Sequence, residues 1–208
     1  MAVRSAGAVA SSAGATVSSL HAALTRKVVG PLLLITMLAT LAFVAMESTF
    51  ALFAKLRYGF SEQTMGRLFA LIGIVIAIIQ GGVIGPLARR FGEVSVGIAG
   101  FLILTVSFAA LPFMPTQTLT ITALVVVAVG QGLLNPSLST LLSRAASKSE
   151  QGGTLGLGQS LNSLSRAVGP VLAGTLFDFS PPLPYLLAAM ITIGLAILLA
   201  RHGRAAQT

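Results

Sequence analysis

The chain has 208 residues, of which 55% are hydrophobic and 9% are charged, and its formal net charge is +8. A soluble globular domain carries about 25% charged residues, so this composition excludes a soluble protein and places most of the chain in lipid. The sequence has no cysteine and two histidines, which excludes disulfides and thiolate metal sites, and we predict no enzyme activity, no metal and no cofactor.

Residues 1–27 form the first segment, which is rich in alanine, serine and glycine and contains no acidic residue. This composition favours a disordered cytoplasmic tail or the remnant of a loop between domains. An organelle transit peptide, which is also serine-rich and poor in acids, is the alternative. A secretory signal is disfavoured because no compact apolar segment precedes Lys27.

Six long apolar runs follow this segment. Each has about the 20 residues that an α-helix needs to cross a membrane, so we predict an all-α membrane protein with a six-helix transmembrane bundle over residues 28–201. A β-barrel would need short segments of alternating polarity instead. Short connections predict antiparallel neighbours, and residues 202–208 are expected to form a cytoplasmic tail. The predicted spans are 29–54, 64–85, 95–113, 119–142, 154–177 and 184–201.

The basic residues predict the orientation of this bundle. If the N-terminus is cytoplasmic, nine basic residues at or beyond the ends of the spans fall on the cytoplasmic side, and two, Lys55 and Arg57, fall on the other side. This excess predicts that both termini are cytoplasmic, in a multi-pass protein of the plasma (inner) membrane. Few aromatic residues accompany the basic ones, so we predict no nucleic-acid partner.

The segment between the second and third spans, residues 85–93, reads G-P-L-A-R-R-F-G-E. It resembles the signature G-x-L-A-D-R-x-G-R-K of the major facilitator superfamily. Arg89 stands where that family usually has aspartate, and Glu93 where it usually has a basic residue. The alternative is that the arginines only add to the positive-inside bias. The resemblance implies a cytoplasmic gate loop made of Gly85, Arg89, Arg90 and Gly92.

Further segments resemble the same family. Gly130-Gln131-Gly132 in the fourth span resembles the motif R-x-x-Q-G, with Ala128 at the arginine position. Residues 158–170 look like the eleventh helix of drug-efflux members, including the tetracycline-efflux type. Residues 47–50 and 58–61 resemble the seventh helix and its external loop. In this order, the motifs indicate the C-terminal six-helix half of such a transporter.

The resemblance also implies that the six helices form two inverted three-helix repeats. One internal signal agrees with this expectation. The pair Gly85-Pro86 recurs as Gly169-Pro170, 84 residues later, near the end of the middle helix of each three-helix set.

Two charged residues lie well inside the predicted spans, where charges are costly and usually mark an ion or substrate path. Glu47 is the only acidic residue deep enough to pair with Arg166, and in the family the corresponding helices are neighbours. We therefore hypothesise a Glu47–Arg166 pair, with Glu47 serving proton coupling or attraction of a cationic substrate. The alternatives are a structural carboxylate near the outer interface and an arginine that binds backbone carbonyls.

Four amide side chains in the fourth and fifth spans are candidates for lining a polar cavity. Two of them, Gln159 and Asn162, are three residues apart and so share a helix face. Hydrogen bonding between helices is the alternative role for this set. The four are Gln131, Asn135, Gln159 and Asn162.

These features predict a transporter, or half of one, that moves a small molecule by alternating access. The resemblance favours proton-coupled efflux of a drug-like compound. An uptake symporter of the same superfamily and a non-transporting membrane module that binds a partner are the alternatives. The expected partners are the lipid bilayer, a small-molecule substrate, protons, and a second six-helix half or a second copy. One chain supplies only one bundle. The chain is therefore a fragment, a subunit of a split or homodimeric carrier, or a decayed remnant, and the sequence does not choose among these.

Overall fold

The computed structural model describes residues 25–203, so most of the predicted N-terminal tail (1–27) and residues 204–208 lie outside the described part. Within that part every regular element is helical. A short 3-10 turn, Leu111–Phe113, closes the third helix. The six long helices are α1 Val29–Tyr58, α2 Glu62–Phe91, α3 Glu93–Phe113, α4 Gln117–Ala145, α5 Gln151–Phe179 and α6 Leu183–His202.

Five of these helices are both long enough and apolar enough to cross a membrane. The exception is α5, which is 29 residues long but more polar than the others. Helices satisfy all their backbone hydrogen bonds internally, as a segment within lipid must. The chain is therefore an all-α, multi-pass integral membrane protein, as the composition predicts.

The second helix continues past Pro86 to Phe91, six residues beyond the predicted end of this span at residue 85. A proline in a helix has no N–H for the carbonyl four residues earlier, here that of Gly82, and its ring crowds that carbonyl. α2 accommodates this with a π turn at Ile79–Val83, in which the N–H of Ile84 bonds to the carbonyl of Ile79, five residues back.

Glycines permit the tight connections on both sides of α2. Gly59 follows α1 with φ +68°, and Gly92 joins α2 to α3 with φ +80°. Residues with a Cβ rarely adopt positive φ, whereas glycine does so readily. Ser61 then begins α2, because its side chain accepts a hydrogen bond of 3.2 Å from the backbone N–H of Thr64. Connections this short hold neighbouring helices antiparallel.

Helices α1, α3, α4 and α6 form most of the buried core, and α2 lies at its edge. Close helix approach depends on glycine: a Cβ on Gly100 of α3 would lie 3.0 Å from the carbonyl oxygen of Gly130 on α4. α2 packs mainly against α4, where Gly132 admits the side chain of Ile79. Most of the remaining surface of α2 is exposed.

Candidate functional site

The exposed surface of α5 has a polar side and an apolar side. Spacings of three and four residues place each set on its own stripe of the helix. Lipid solvates an apolar stripe well, whereas polar and charged groups within a membrane face water or other protein. The polar side is Gly156, Gln159, Ser163 and Arg166, and the apolar side is Leu164, Val168 and Leu172.

Close packing against α1 sets the position of α5. A Cβ on Gly169 would lie 2.7 Å from Cγ1 of Val44, so only glycine allows the two helices to approach this closely. One residue before Arg166, the hydroxyl of Ser165 donates a hydrogen bond of 3.0 Å to the backbone carbonyl of Met37. These two contacts hold α5 against α1 on either side of the arginine.

The contact surface between α1 and α5 is called the seam below. Glu47 and Arg166 meet beside it. A guanidinium nitrogen of Arg166 lies 3.9 Å from Oε2 of Glu47, and the side chains are 61% and 42% exposed, respectively. Each residue is at least about 16 Å from the nearer end of its helix, at 1.5 Å per residue. Opposite charges about 4 Å apart attract by about 1 kcal/mol in bulk water and about 4 kcal/mol at an effective dielectric constant of 20. The strength of this pair therefore depends on how much water surrounds it.

The two amides of α5 have different surroundings. Gln159 is exposed on the polar side, and its side-chain amide makes no hydrogen bond to another residue within 25–203. Asn162 is half-buried, and its side-chain oxygen lies 2.9 Å from the hydroxyl of Thr40 on α1. The same hydroxyl lies 3.0 Å from the carbonyl of Thr36. Asn162 thus contacts α1, whereas the side chain of Gln159, three residues away, is exposed.

The two amides of α4 are also different from each other. Gln131 is 6% exposed, and its side-chain oxygen is buried without a hydrogen bond from any described residue. Asn135, one turn further along, is exposed. No hydrogen bond joins either of them to Gln159 or Asn162 among residues 25–203. The structure therefore gathers Glu47, Arg166 and Asn162 at one seam and leaves the α4 amides separate.

The predicted gate loop is mostly helix. Gly85, Arg89 and Arg90 lie in the last turns of α2, and Gly92 alone separates α2 from α3. The prediction of a loop here is wrong because the π turn accommodates Pro86. Both arginines are exposed, and the guanidinium carbon of Arg90 lies 5.2 Å from the ring centroid of Phe91.

Two ion pairs at this end of the bundle were not predicted from the sequence. Arg144 at the end of α4 lies 2.7 Å from Glu93 at the start of α3. Arg26 donates two hydrogen bonds, of 2.8 and 2.7 Å, to Glu150 before α5. These hydrogen bonds, aided by one from Ser147, lower the pKa of the Glu150 carboxyl from 4.5 to about 2. The only sequence signal for these pairs is Glu93, an acidic residue where the signature usually has a basic one.

A hydrogen-bond network around Tyr58 joins α1, α4 and the connection between α3 and α4 at the opposite end. The hydroxyl of Tyr58, the last residue of α1, donates a hydrogen bond of 2.6 Å to the carbonyl of Met114. It also lies 2.8 Å from the hydroxyl of Thr120 in α4. Gln117 donates a further bond of 3.3 Å to the Tyr58 carbonyl. The network fixes the end of α1 against the connection between α3 and α4.

Comparison with known proteins identifies the family of this bundle. Residues 32–207 match the Major Facilitator Superfamily. The chain belongs to this superfamily. The predicted resemblance is thereby confirmed, and the transporter bundle it implied agrees with the six helices described above.

Individual members of the superfamily are similar over most of the chain. Multidrug resistance protein 1 of Bacillus subtilis is 31% identical over 172 residues, which are 80% of this chain and 43% of that protein. Tetracycline resistance protein, class B, of Escherichia coli is 28% identical over 136 residues, 65% of this chain and 34% of that protein. The crystal structure of the human organic anion transporter MFSD10 (TETRAN) matches with a TM-score of 0.76 and 25% identity, over 82% of this chain and 40% of that one.

The chain therefore spans less than half the length of these relatives. Its six helices correspond to a half of a larger transporter, as the order of the motifs predicts.

Proposed function

We propose that this chain is one six-helix half of a secondary transporter that exports a drug-like compound in exchange for protons. Its relatives include proteins named for multidrug and tetracycline resistance, which supports a small amphipathic substrate. The observation that carries the proposal is the mid-membrane pair of Glu47 and Arg166 on the polar side of α5. A charged pair at this depth is costly in lipid and is favourable beside a water-filled path.

The polar side of α5 forms one wall of the substrate path. Arg166 supplies a fixed charge, and Gln159 supplies an amide with no partner among the described residues. Gln131 is buried within the bundle, so we do not place its side chain on the surface of this path. Asn135 extends the polar surface along α4. The second half supplies the opposite wall.

The six helices are proposed to be two inverted three-helix repeats, α1–α3 and α4–α6. In this scheme α1 is equivalent to α4, α2 to α5 and α3 to α6. The contact of α1 with α5 then corresponds to that of α4 with α2, and the contact of α3 with α4 corresponds to that of α6 with α1. The equivalent helices α3 and α6 also meet each other, with the hydroxyls of Thr105 and Thr192 2.9 Å apart. This symmetry supports alternating access by rocking of two bundles about a central site.

Proton coupling is assigned to Glu47. When its carboxylate binds a proton, the attraction to Arg166 is lost, and the charge of Arg166 becomes available to water or substrate. Arginine keeps its own charge, so the protonation of Glu47 alone decides whether the two side chains attract each other. Loss of this attraction weakens the contact between α5 and α1 in the middle of the membrane. Both termini are proposed to be cytoplasmic, in the plasma (inner) membrane.

The test needs the complete assembly. Light scattering in mild detergent, with the detergent subtracted, first gives the protein mass. A dimer means that two copies complete the carrier, and a monomer means that the second half comes from another chain or from a longer form of this one, which is then co-expressed. Everted membrane vesicles containing the assembly are supplied with tetracycline and an imposed proton gradient, and accumulation is measured.

Arg166→Leu and Glu47→Gln should each abolish accumulation, while Lys55→Gln, which removes an exposed charge at the end of α1, should leave it unchanged. Transport at the wild-type rate in both charge variants would overturn the assignment of the pair. Collapsing the proton gradient should stop accumulation. Movement in the opposite direction under the same gradient would favour the uptake symporter instead.

A further inference from the structure

One end of the bundle carries positive charge that the chain itself cannot neutralise. This surface, here the basic end, is where α1, α3 and α5 begin and α2, α4 and α6 end. The chain has five acidic residues, and two of them, Glu93 and Glu150, lie at this end. Both are already bound, by Arg144 and Arg26. The exposed basic residues without an acidic partner within 25–203 are Lys27, Arg89, Arg90, Lys148 and Arg201.

The other three acids cannot reach the basic end. Glu47 lies at mid-membrane, and Glu62 and Asp178 lie at the opposite end, at the start of α2 and the end of α5. Residues 1–24 and 204–208 contain no acid at all. Whatever balances the charge of the basic end must therefore come from outside this chain.

The length of α2 places Arg89 and Arg90 at the level of lipid headgroups. The charge-free run of α2, residues 68–88, is about 31 Å long at 1.5 Å per residue. A bilayer has a hydrocarbon core of about 30 Å. When this run fills the core, the two arginines that follow it stand at its boundary, where the phosphates of a leaflet lie.

The surface around these arginines suits the rest of a lipid. Phe91, the next residue, is 57% exposed and lies beside the guanidinium of Arg90. Aromatic rings of this kind are favourable at the boundary between headgroups and acyl chains. Further into the membrane, Ile74 and Ile78 are 58% and 61% exposed, so α2 offers an apolar surface to acyl chains.

We propose that the basic end binds anionic phospholipid headgroups, with Arg89 and Arg90 as the principal ligands. A guanidinium forms paired hydrogen bonds to phosphate oxygens, which gives geometric selectivity as well as attraction. Arg201 lies close by, because the end of α6 packs against the start of α3, where a Cβ on Gly203 would lie 2.9 Å from Val94. Lys27 and Lys148 extend the positive surface on the other side of the bundle.

Native mass spectrometry in mild detergent tests this proposal without a transport assay. The purified chain is offered equal amounts of phosphatidylglycerol and phosphatidylcholine with identical acyl chains, and the ratio of bound lipids is measured. Both lipids carry a phosphate, but only phosphatidylglycerol has a net charge. The wild-type chain should bind phosphatidylglycerol preferentially. Arg89→Gln/Arg90→Gln should reduce that preference by about thirty-fold, since each basic residue near an anionic surface contributes about a factor of five.

The matched control is Lys55→Gln/Arg67→Gln, which removes the same charge from the opposite end and should keep the wild-type preference. Circular dichroism verifies that all variants have the same helical content. An unchanged lipid ratio in Arg89→Gln/Arg90→Gln would overturn the proposal. Equal binding of both lipids by the wild-type chain would also overturn it, and would assign the charge of the basic end to acidic residues of a protein partner.

Discussion

Replacing Gly169 by alanine should push α5 away from α1. The added Cβ would lie 2.7 Å from Cγ1 and 3.3 Å from Cβ of Val44, and 3.5 Å from Cδ1 of Leu41. Carbon atoms pack at about 3.5 to 4.0 Å, so the nearest contact must open by about 1 Å. Valine in a helix has one strongly preferred rotamer, which prevents its methyl group from turning aside. The helices themselves have to separate.

Two opposing effects set the size of this change. Forcing an extra methyl group into a packed seam costs about 1 to 3 kcal/mol. Alanine in place of glycine within a helix contributes about 0.5 to 1 kcal/mol in the other direction. We therefore expect Gly169→Ala to lower the free energy of unfolding by about 1 to 2 kcal/mol. Because Glu47 and Arg166 are already 3.9 Å apart, the same movement should also break their contact.

The assay is equilibrium unfolding in mixed detergent, followed by circular dichroism. Gly174→Ala is the matched control, because no atom outside the neighbouring backbone of α5 lies within 4 Å of a Cβ at this position, and it should be neutral or stabilising. In the double variant Gly169→Ala/Val44→Ala the clash is absent, so the two changes should be less harmful together than their sum by about 1 kcal/mol. If Gly169→Ala is as stable as Gly174→Ala, or if the effects are simply additive, the seam does not have the packing described.

Three further changes test other parts of the structure. Gly92→Ala should destabilise the bundle by about 1 to 3 kcal/mol, because φ +80° with ψ 152° is a conformation essentially restricted to glycine, and thermal unfolding without such a loss would contradict this. The pair of Arg26 with Glu150 should stabilise the protein fully above pH 4.5 and lose its effect as the pH falls towards 2, since the folded-state pKa of Glu150 is the lower one. Melting temperatures of wild type and Glu150→Gln should therefore converge on acidification, and parallel curves would refute the linkage. In the cysteine-free chain, Ser163→Cys on the polar side of α5 should react with a membrane-impermeant maleimide, whereas Leu164→Cys at the same depth should not. Equal labelling of the two cysteines would mean that the two sides of α5 are equally accessible to water.

The sequence predicts the helices well because lipid imposes a simple rule on each run of residues. A charge-free stretch of about 20 residues can satisfy its backbone in lipid only as a helix. The rule does not specify where a helix ends. At Pro86 the local signal predicts a break, yet α2 continues to Phe91 by inserting a π turn against Gly132 of α4. That solution depends on packing with another helix, which local patterning does not contain.

Ion pairs likewise divide into those that the sequence predicts and those that depend on how the helices pack. The contact of Glu47 with Arg166 could be proposed because the membrane interior holds so few charges that elimination leaves one partner. At the end of the bundle several acids and bases compete, and the pairing of Arg144 with Glu93 depends on how α3 and α4 are aligned. The sequence does not give that alignment. For the same reason, helical spacing predicts a common face for Gln159 and Asn162 but does not give the contact of Asn162 with Thr40 of α1.

The composition of α5 bears on what surrounds this chain in the membrane. Its 29 residues are long enough to span a bilayer, but it is the one long helix of the described bundle that is not apolar enough to do so alone. Close packing against α1 explains Ser165 and Gly169, and close packing against Leu142 of α4 explains Gly158. Helix packing does not explain Gln159 and Arg166, whose side chains are exposed on the polar side of α5 and would be costly against acyl chains. We therefore expect a second bundle, or a water-filled path between two bundles, to cover the polar side of α5 in the membrane.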